Sequence, residues 1–592
     1  MRWALARLIL LFVGTAAILS YQAIGRAFYG DFWIPQGAGM NNLIAEEITQ
    51  ITMFTFFGMV AVAALAAALR GTTIVERAVS LLRGLAQRPR AVALATAAGA
   101  GVAAALIGSS VLGHAVVTDD EHTYRFIAQT LRTGALVAPS PGSDLDFFRE
   151  QFVVLTPSGR YGKYPVGYPL LLAAGQALGL ERCVVPLLTA AVVVLVYTIA
   201  SMLFDPIRAL IAVALVAASP QVLLTGATFL SQPLSAVCLL AGVAALLAAD
   251  RRGQAPGTSR EALGLIALSG GALGYGIFVR PLPGVLFAAV AGLHLLWLRR
   301  HQPWTRLVSA ALAFGVPAAL GAVLLLVQNR LQSGDVMTSG YQAFHATGEG
   351  SSGLAIFVGG GLAQRAMSVV AALLRLDGWA FGWPLAPLLA LGALRVRHTG
   401  LLWGLLAAAF AYRVLSPKAG VSPTGPVYMY EILPVLAVLA AVGAVEISRR
   451  LGDRSAVAAT LVAGAVVGLT MFMPGRLADL NSMGLAQRTP LILLARQGVA
   501  RGLVFQNAVV PWWTRRSWAY YPRANSPRLD DDVLFLHVEG RADLPRAREL
   551  WRRRFPDRSA WWFEYVEDRP RLVPLDQALA ESASTSEPSP PS

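Results

Sequence analysis

The polar run from Val117 to Pro169 holds the side chains of this sequence best suited to chemistry. Asp119, Asp120 and Glu121 stand side by side, Tyr124 follows, and the run closes on Gly159-Arg160-Tyr161-Gly162-Lys163-Tyr164-Pro165-Val166-Gly167-Tyr168-Pro169. A carboxylate within hydrogen-bond reach of a hydroxyl can take its proton as that hydroxyl attacks, a contribution of about 100 to 10,000-fold. An ammonium can neutralise charge that builds on a departing group. Three adjacent acids also offer oxygen ligands to a divalent cation, together with waters and phosphate oxygens, although no second ligand cluster accompanies them. The plainer use of the same acids is to start a helix, because Thr118 followed three residues later by Glu121 is a capping box, and acids favour a helix N-terminus. Capping accounts for Glu121 but gives Asp120 no particular task, so both readings stand.

The elements that must position these residues follow from periodicity and composition. Tyr124, Ile127, Ala128 and Leu131 fall on one helical face, and Gly134 and Pro139 stop the helix, which predicts a short amphipathic helix lying along a membrane surface. The chain of 592 residues is 55% hydrophobic and 14% charged, with a mean hydropathy of +0.56. Soluble proteins carry about 25% charged residues, so the deficit points to lipid as the solvent. The net charge of +15 does not imply nucleic acid, because most arginines sit in short loops between apolar spans. Cys183 and Cys238 have no Cys or His partner at metal or disulfide spacing. Of 49 basic residues only Lys163 and Lys418 are lysines, leaving 47 arginines, so a lysine kept inside GRYGKYPVGYP suggests a need for a compact charge.

Thirteen apolar stretches approach the length of a bilayer span: 4–24, 51–69, 91–113, 183–204, 207–224, 230–249, 261–278, 281–298, 305–327, 379–394, 400–416, 427–447 and 455–473. With the N-terminus inside, each strongly basic loop falls on the cytoplasmic side, including 70–90 with its five arginines. The Asp120 loop and the C-terminus then lie outside. Segments 166–180 and 354–374 are expected at the outer surface rather than across it, the first being short and following a proline-rich turn, the second carrying Arg365 and Arg375. The expected organisation is two N-terminal spans with a basic loop (1–90), a membrane core (91–474), an external α/β domain (475–578) and a disordered tail (579–592).

At Asp120-Glu121-x-x-Tyr124, followed by Gly134 and Lys163-Tyr164-Pro165-x-Gly167-Tyr168-Pro169, the sequence resembles the first external loop of the GT-C glycosyltransferases. This class includes protein O-mannosyltransferases and the lipid A aminoarabinose transferase. The resemblance is strong over 91–250, weaker to about 474, and faint in the first two spans and the C-terminal domain. It implies an all-α polytopic membrane enzyme of the cytoplasmic (inner) membrane with its active site and C-terminus external. The implied reaction is inverting transfer from a polyprenyl-phosphate-linked sugar to a lipid, glycan or protein acceptor. By motif match Asp120 is the implied base, with Glu121 capping or orienting it, and Lys163 contacts the donor phosphate. Tyr124, Tyr164 and Tyr168 accompany them. Arg280 in FVRPLPG resembles an arginine aimed at the phosphate, and Tyr428 and Glu431 in GPVYMYEILP resemble an aromatic entry to a late span. That entry commonly begins with arginine, where this chain has Val427, and Ser231-Gln232-Pro233 stands where many relatives carry an acid. Tyr341 and His345 lie in another external loop and are further candidates for donor or acceptor contact.

Two other classes compete. A lipid-linked saccharide transporter would place its polar residues at mid-membrane on broken helices, whereas these acids lie in a loop. A membrane-anchored external domain would not need thirteen spans. Walker A, Rossmann and HExxH patterns are absent from the sequence.

Overall fold

The computed structural model describes residues 2–29, 40–253, 259–346, 361–415, 422–507, 525–566 and 569–585. Lys418 and the end of the tail, 586–592, lie outside the described residues. Ten helices are long and apolar enough to cross a membrane, or 11 if the bent pair Pro206–Ala217 and Pro220–Gly226 forms one span, by length and composition alone. The chain is a multi-pass membrane protein. The expected count of thirteen is corrected at two places. Gly400–Leu415 is helical and apolar but short. Segment 379–394 is no α-helical span, because Gly382 and Leu385 turn with positive φ and only a 3-10 helix forms at Ala386–Ala393. Pro384 and Pro387 explain the break, since proline removes a donor and clashes with the preceding turn. This short piece packs tightly on Val427–Leu451: a Cβ on Gly392 would stand 2.6 Å from the Gly443 carbonyl oxygen. Small residues of this kind let backbones approach where lipid gives no hydrophobic drive. Neither Gly167–Ala177 nor Leu362–Trp379 is among the helices able to cross, as expected of 166–180 and 354–374, although 354–360 lie outside the described residues.

Between the spans Pro89–Val111 and Glu181–Leu203 the polar run folds into a compact unit. A helix covers Asp119–Arg132, ending just before Gly134 at φ 81°, where glycine is the residue best suited to the turn. A hairpin follows, with strand β1 (Val153–Thr156) antiparallel to strand β2 (Gly159–Gly162), pairing Val153 with Gly162. The expectation that this helix lies on a lipid surface is corrected. Tyr124, Ile127 and Ala128 are buried against Val153, Tyr164, Tyr168 and Leu172, because the hairpin and the helix Gly167–Ala177 cover the apolar face first.

The last span runs through Arg454–Arg496, with a π segment at Gly468–Phe472 between its α-helical parts, 43 residues or about 65 Å of helix, twice the roughly 30 Å of a bilayer core. Its distal half reaches the C-terminal α/β unit, so the domain boundary expected at 475 falls inside a helix. That unit is a four-stranded sheet of β3 (Gly502–Asn507), β4 (Val533–Val538), β5 (Ser559–Val566) and β6 (Arg569–Pro574), ordered β4-β3-β5-β6. Strand β3 is parallel to both neighbours, and β6 is antiparallel to β5. Strands β3 and β4 are buried on both faces almost throughout, as parallel strands covered twice must be. Leu503, Phe505, Leu534 and Leu536 face Leu544, Ala547 and Leu550 of the helix Leu544–Arg554, while Val504, Phe535 and Phe563 face Leu494 of the long helix. The closing helix Leu575–Thr585 buries Leu575 and Ala578 on this sheet, so the disorder expected from 579 does not hold through Thr585.

The loop unit and this domain share a core, so they lie on one side of the spans. Phe147 and Phe148 join the cluster of Leu503, Phe505 and Trp562. Arg160, fully buried, donates to Glu150 Oε1 (3.4 Å) and to the carbonyl of Pro527 (3.0 Å), and Asn525 N donates to the same Glu150 oxygen (2.9 Å). Asp144 pairs with Arg553 and Arg554.

Candidate functional site

The helix Asp119–Arg132 presents its first turn to the site, and its cap fixes that turn. The capping box is complete: Glu121 N donates to Thr118 Oγ1 (3.4 Å), and Glu121 Oε1 accepts from Thr118 N (3.1 Å), Thr118 Oγ1 (2.9 Å) and Val117 N (3.2 Å). Its other oxygen, Oε2, accepts from Phe229 N at 2.8 Å. With no exposure and both oxygens occupied, Glu121 ties the helix start to the turn that precedes the span Gln232–Arg252. Glu121 thus completes the cap that the sequence spacing predicted.

Asp120 has a different environment. It is half-buried, and Tyr164 donates its hydroxyl to Asp120 Oδ1. Burial first, and the Asp120 charge second, hold the Tyr164 hydroxyl well above the usual phenol range, so it stays a donor. Beside it burial and the Asp120 charge raise the Asp119 carboxyl, against the pull of Lys163, and Asp119 Oδ1 is buried without a hydrogen-bond partner. Among the described residues no group of three His, Cys, Asp or Glu is placed to hold a metal ion.

The expected tyrosines converge. Tyr124 lies 4.7 Å from Tyr164 and 5.0 Å from Tyr168 between ring centroids, and Tyr341 meets Tyr164 edge-on at 5.6 Å. Tyr341 comes this close because a Cβ on Gly340 would be 2.7 Å from the Lys163 carbonyl oxygen, leaving room only for glycine. Gln328, 6% exposed, locks the turn from behind, accepting from Val166 N (3.0 Å) and donating to the Tyr164 carbonyl (3.2 Å). The Tyr124 hydroxyl shares a hydrogen bond of 2.9 Å with Ser231 Oγ, so the position where the resemblance expects an acid holds a group that orients an aromatic wall.

Lys163 is buried, with its ammonium 2.9 Å from the Phe152 ring centroid, 5.0 Å from Tyr164, 5.2 Å from Phe344 and 6.0 Å from Tyr341. The charge is held by ring faces, which attract a cation through their quadrupole. His345 touches this cage from outside, its ring edge-on to Phe344 at 5.6 Å.

Arg280 stands at the break between the spans Arg260–Val279 and Pro281–Arg299 and pairs with the buried Glu431 at 2.9 Å. It lies 5.7 Å from the Tyr428 ring centroid. Two further arginines join that end, neither of which the sequence reading offered as a site residue. Arg413, 2% exposed, lies over Tyr428 at 5.1 Å and donates to Ser368 Oγ at 2.5 Å, while Arg375, 4% exposed, and Arg280 are within electrostatic reach of it. The available signal was an arginine inside the apolar run Gly400–Leu415, a costly placement that marks function by default. Tyr124, Tyr164 and Tyr168 share a core cluster with Val279 and Val427, the neighbours of Arg280 and Tyr428, so the acid and the arginine end border the same wall. The arrangement has a carboxylate at one end, several guanidinium groups with one buried counter-charge at the other, and an aromatic wall between them.

No family model matches the chain, and no curated protein matches it. Solved structures do. An ArnT from Cupriavidus metallidurans bound to undecaprenyl phosphate is similar with a TM-score of 0.47 and 16% identity, over 82% of this chain and 94% of that one. The same protein in the apo state gives 0.47 and 15%, over 81% and 93%. An Archaeoglobus fulgidus oligosaccharyltransferase in the apo form gives 0.43 and 14%, over 71% and 63%. A likeness of this degree assigns no residue a role.

Proposed function

We propose that this chain is a membrane glycosyltransferase of the GT-C kind. It moves a sugar from a polyprenyl-phosphate donor to an acceptor hydroxyl, with inversion, on the outer face of the cytoplasmic membrane. The observation that carries the reading is the contrast between the two neighbouring acids: Glu121 has both oxygens consumed by the cap, whereas Asp120 is half-buried and oriented by Tyr164. With the phenol on Oδ1, the second carboxylate oxygen is left to accept the acceptor hydroxyl proton. The acceptor oxygen forms its bond to the anomeric carbon as the bond from that carbon to the phosphate oxygen breaks. The departing electron pair becomes phosphate charge, which cations stabilise most where it develops.

Arg280 and Arg413 supply that charge, held by Glu431 and by the rings of Tyr428 and Tyr412. A guanidinium binds phosphate through two parallel donors, which fixes the leaving group in direction as well as charge. Lys163, on its flexible stem, exchanges ring faces for phosphate oxygens when the donor enters. Tyr124, Tyr168 and Tyr341 wall the sugar path, and His345 supports that wall through Phe344. The external side is set by the arginine-rich loops, which favour the cytoplasm. The test is direct: purified protein is incubated with radiolabelled polyprenyl-phosphate sugars and a membrane extract, and label is followed into acceptor. A transporter would instead carry labelled lipid across vesicles without forming a new glycoside.

A further inference from the structure

A groove of about 350 Å³ opens where the helix Asp119–Arg132 meets the junction between the helix Gly167–Ala177 and the span Glu181–Leu203. Arg125, Gln129 and Arg132 line it from the first helix, spaced i, i+4 and i+7 on one face, and Gln176, Glu181 and Arg182 line the opposite side. Three guanidinium groups thus face one carboxylate. That carboxylate is already used: Glu181 accepts from Arg125 Nε (2.9 Å) and Nη2 (3.1 Å) and from Gln176 Nε2 (2.7 Å). Arg125 is further held over the Phe229 ring at 5.3 Å. Arg132 and Arg182 are exposed and make no ion pair among the described residues, so the groove keeps two positive charges that its own side chains do not offset.

Its place in the fold says what would offset them. Glu181 opens a span, so the groove lies at the level where lipid headgroups sit. Immediately beside it Leu178 and Leu180 are 73% and 49% exposed. A cationic pocket bordered by exposed leucines matches a phosphate headgroup with acyl chains beside it. The groove also turns away from the reacting centre: Asp120 is five residues before Arg125, about 140° round the helix. It is therefore not the place where a donor phosphate would meet Asp120.

We propose that this groove binds the phosphate headgroup of an anionic phospholipid of the same leaflet, with its acyl chains along Leu178 and Leu180. The bound headgroup anchors the back of the helix whose front carries Asp120.

The experiment uses the full-length protein in neutral detergent and titrates phosphatidylglycerol, phosphatidylcholine and undecaprenyl phosphate, reading bound lipid by native mass spectrometry. The wild type is compared with Arg132→Gln, Arg182→Gln and the double variant, with thermal melts in the same detergent as a check on folding. An arginine near an anionic surface is worth roughly fivefold in affinity, so each single variant should lose about fivefold in phosphatidylglycerol binding and the double about 25-fold. Phosphatidylcholine and undecaprenyl phosphate binding should not change. Equal binding of phosphatidylglycerol and phosphatidylcholine by the wild type, or an undiminished preference in folded variants, overturns the proposal. Loss of undecaprenyl phosphate together with phosphatidylglycerol overturns it in favour of a donor path. Sugar transfer enters none of these readouts, so the result stands apart from the proposed reaction.

Discussion

Asp120→Asn separates base catalysis from helix capping, because the structure lets the amide take over every contact of the acid except proton acceptance. The hydroxyl of Tyr164 donates to Asp120 Oδ1, and an asparagine can present its carbonyl oxygen to that same hydroxyl, so the local geometry is preserved. Asp120 is not the cap of its helix; Thr118 and Glu121 are, and both remain. What the variant loses in stability is the favourable charge in the first turn, about 0.3 to 1 kcal/mol. What it loses in the reaction is the proton acceptor, about 100 to 10,000-fold in turnover, equivalent to roughly 3 to 5 kcal/mol on the barrier. The two scales do not overlap. The assay is transfer of labelled sugar from a saturating polyprenyl-phosphate donor, run beside thermal melts of both proteins in one detergent. An unchanged melt with at least 100-fold slower turnover is the expected result. Turnover within tenfold of the wild type would refute the assignment, because among the described residues Asp120 is the carboxylate that Tyr164 orients.

Other outcomes follow from the same site. Glu121→Ala should lower stability by at least about 2 kcal/mol in a melt, since it orphans the buried donors of Val117, Thr118 and Phe229; a carboxylate used only in the reaction would leave the melt unchanged. Lys163→Ala and Arg413→Met should each weaken binding of undecaprenyl phosphate by tenfold or more, read by native mass spectrometry, and unaltered affinity would return these charges to a structural role. The Tyr164 hydroxyl, pushed well above the phenol range by burial and by Asp120, should remain protonated while ordinary phenols ionise, so Tyr164→Phe should leave the tyrosinate absorbance across the ordinary phenol range unchanged. Cysteines placed at Ser158 and Glu549, both exposed, should label together from the outer side of intact cells, and Glu76 should not; the reverse pattern would invert the topology.

How much of this was legible in the sequence depends on the range of the interaction concerned. The capping box at Thr118 and Glu121, the stop at Gly134 and most of the spans were readable because each depends on residues a few positions apart, through a backbone donor, a positive φ or a run of apolar side chains. Eleven of the thirteen expected stretches are helices long and apolar enough to cross, counting the bent pair as one, while Gly400–Leu415 is helical but short. Segment 379–394 failed because Pro384 and Pro387 outweigh apolar composition.

The tertiary structure decided the rest. Sequence showed the cap that uses one Glu121 oxygen; that the Phe229 amide, 108 residues away, takes the other is a tertiary fact. Arg413 and Arg375 meet Arg280 through helices that only packing brings together, and the expected lipid face of the Asp119–Arg132 helix is taken by the hairpin and Tyr168. Local order is encoded by near neighbours, whereas which buried charge is satisfied depends on partners that no sequence spacing announces.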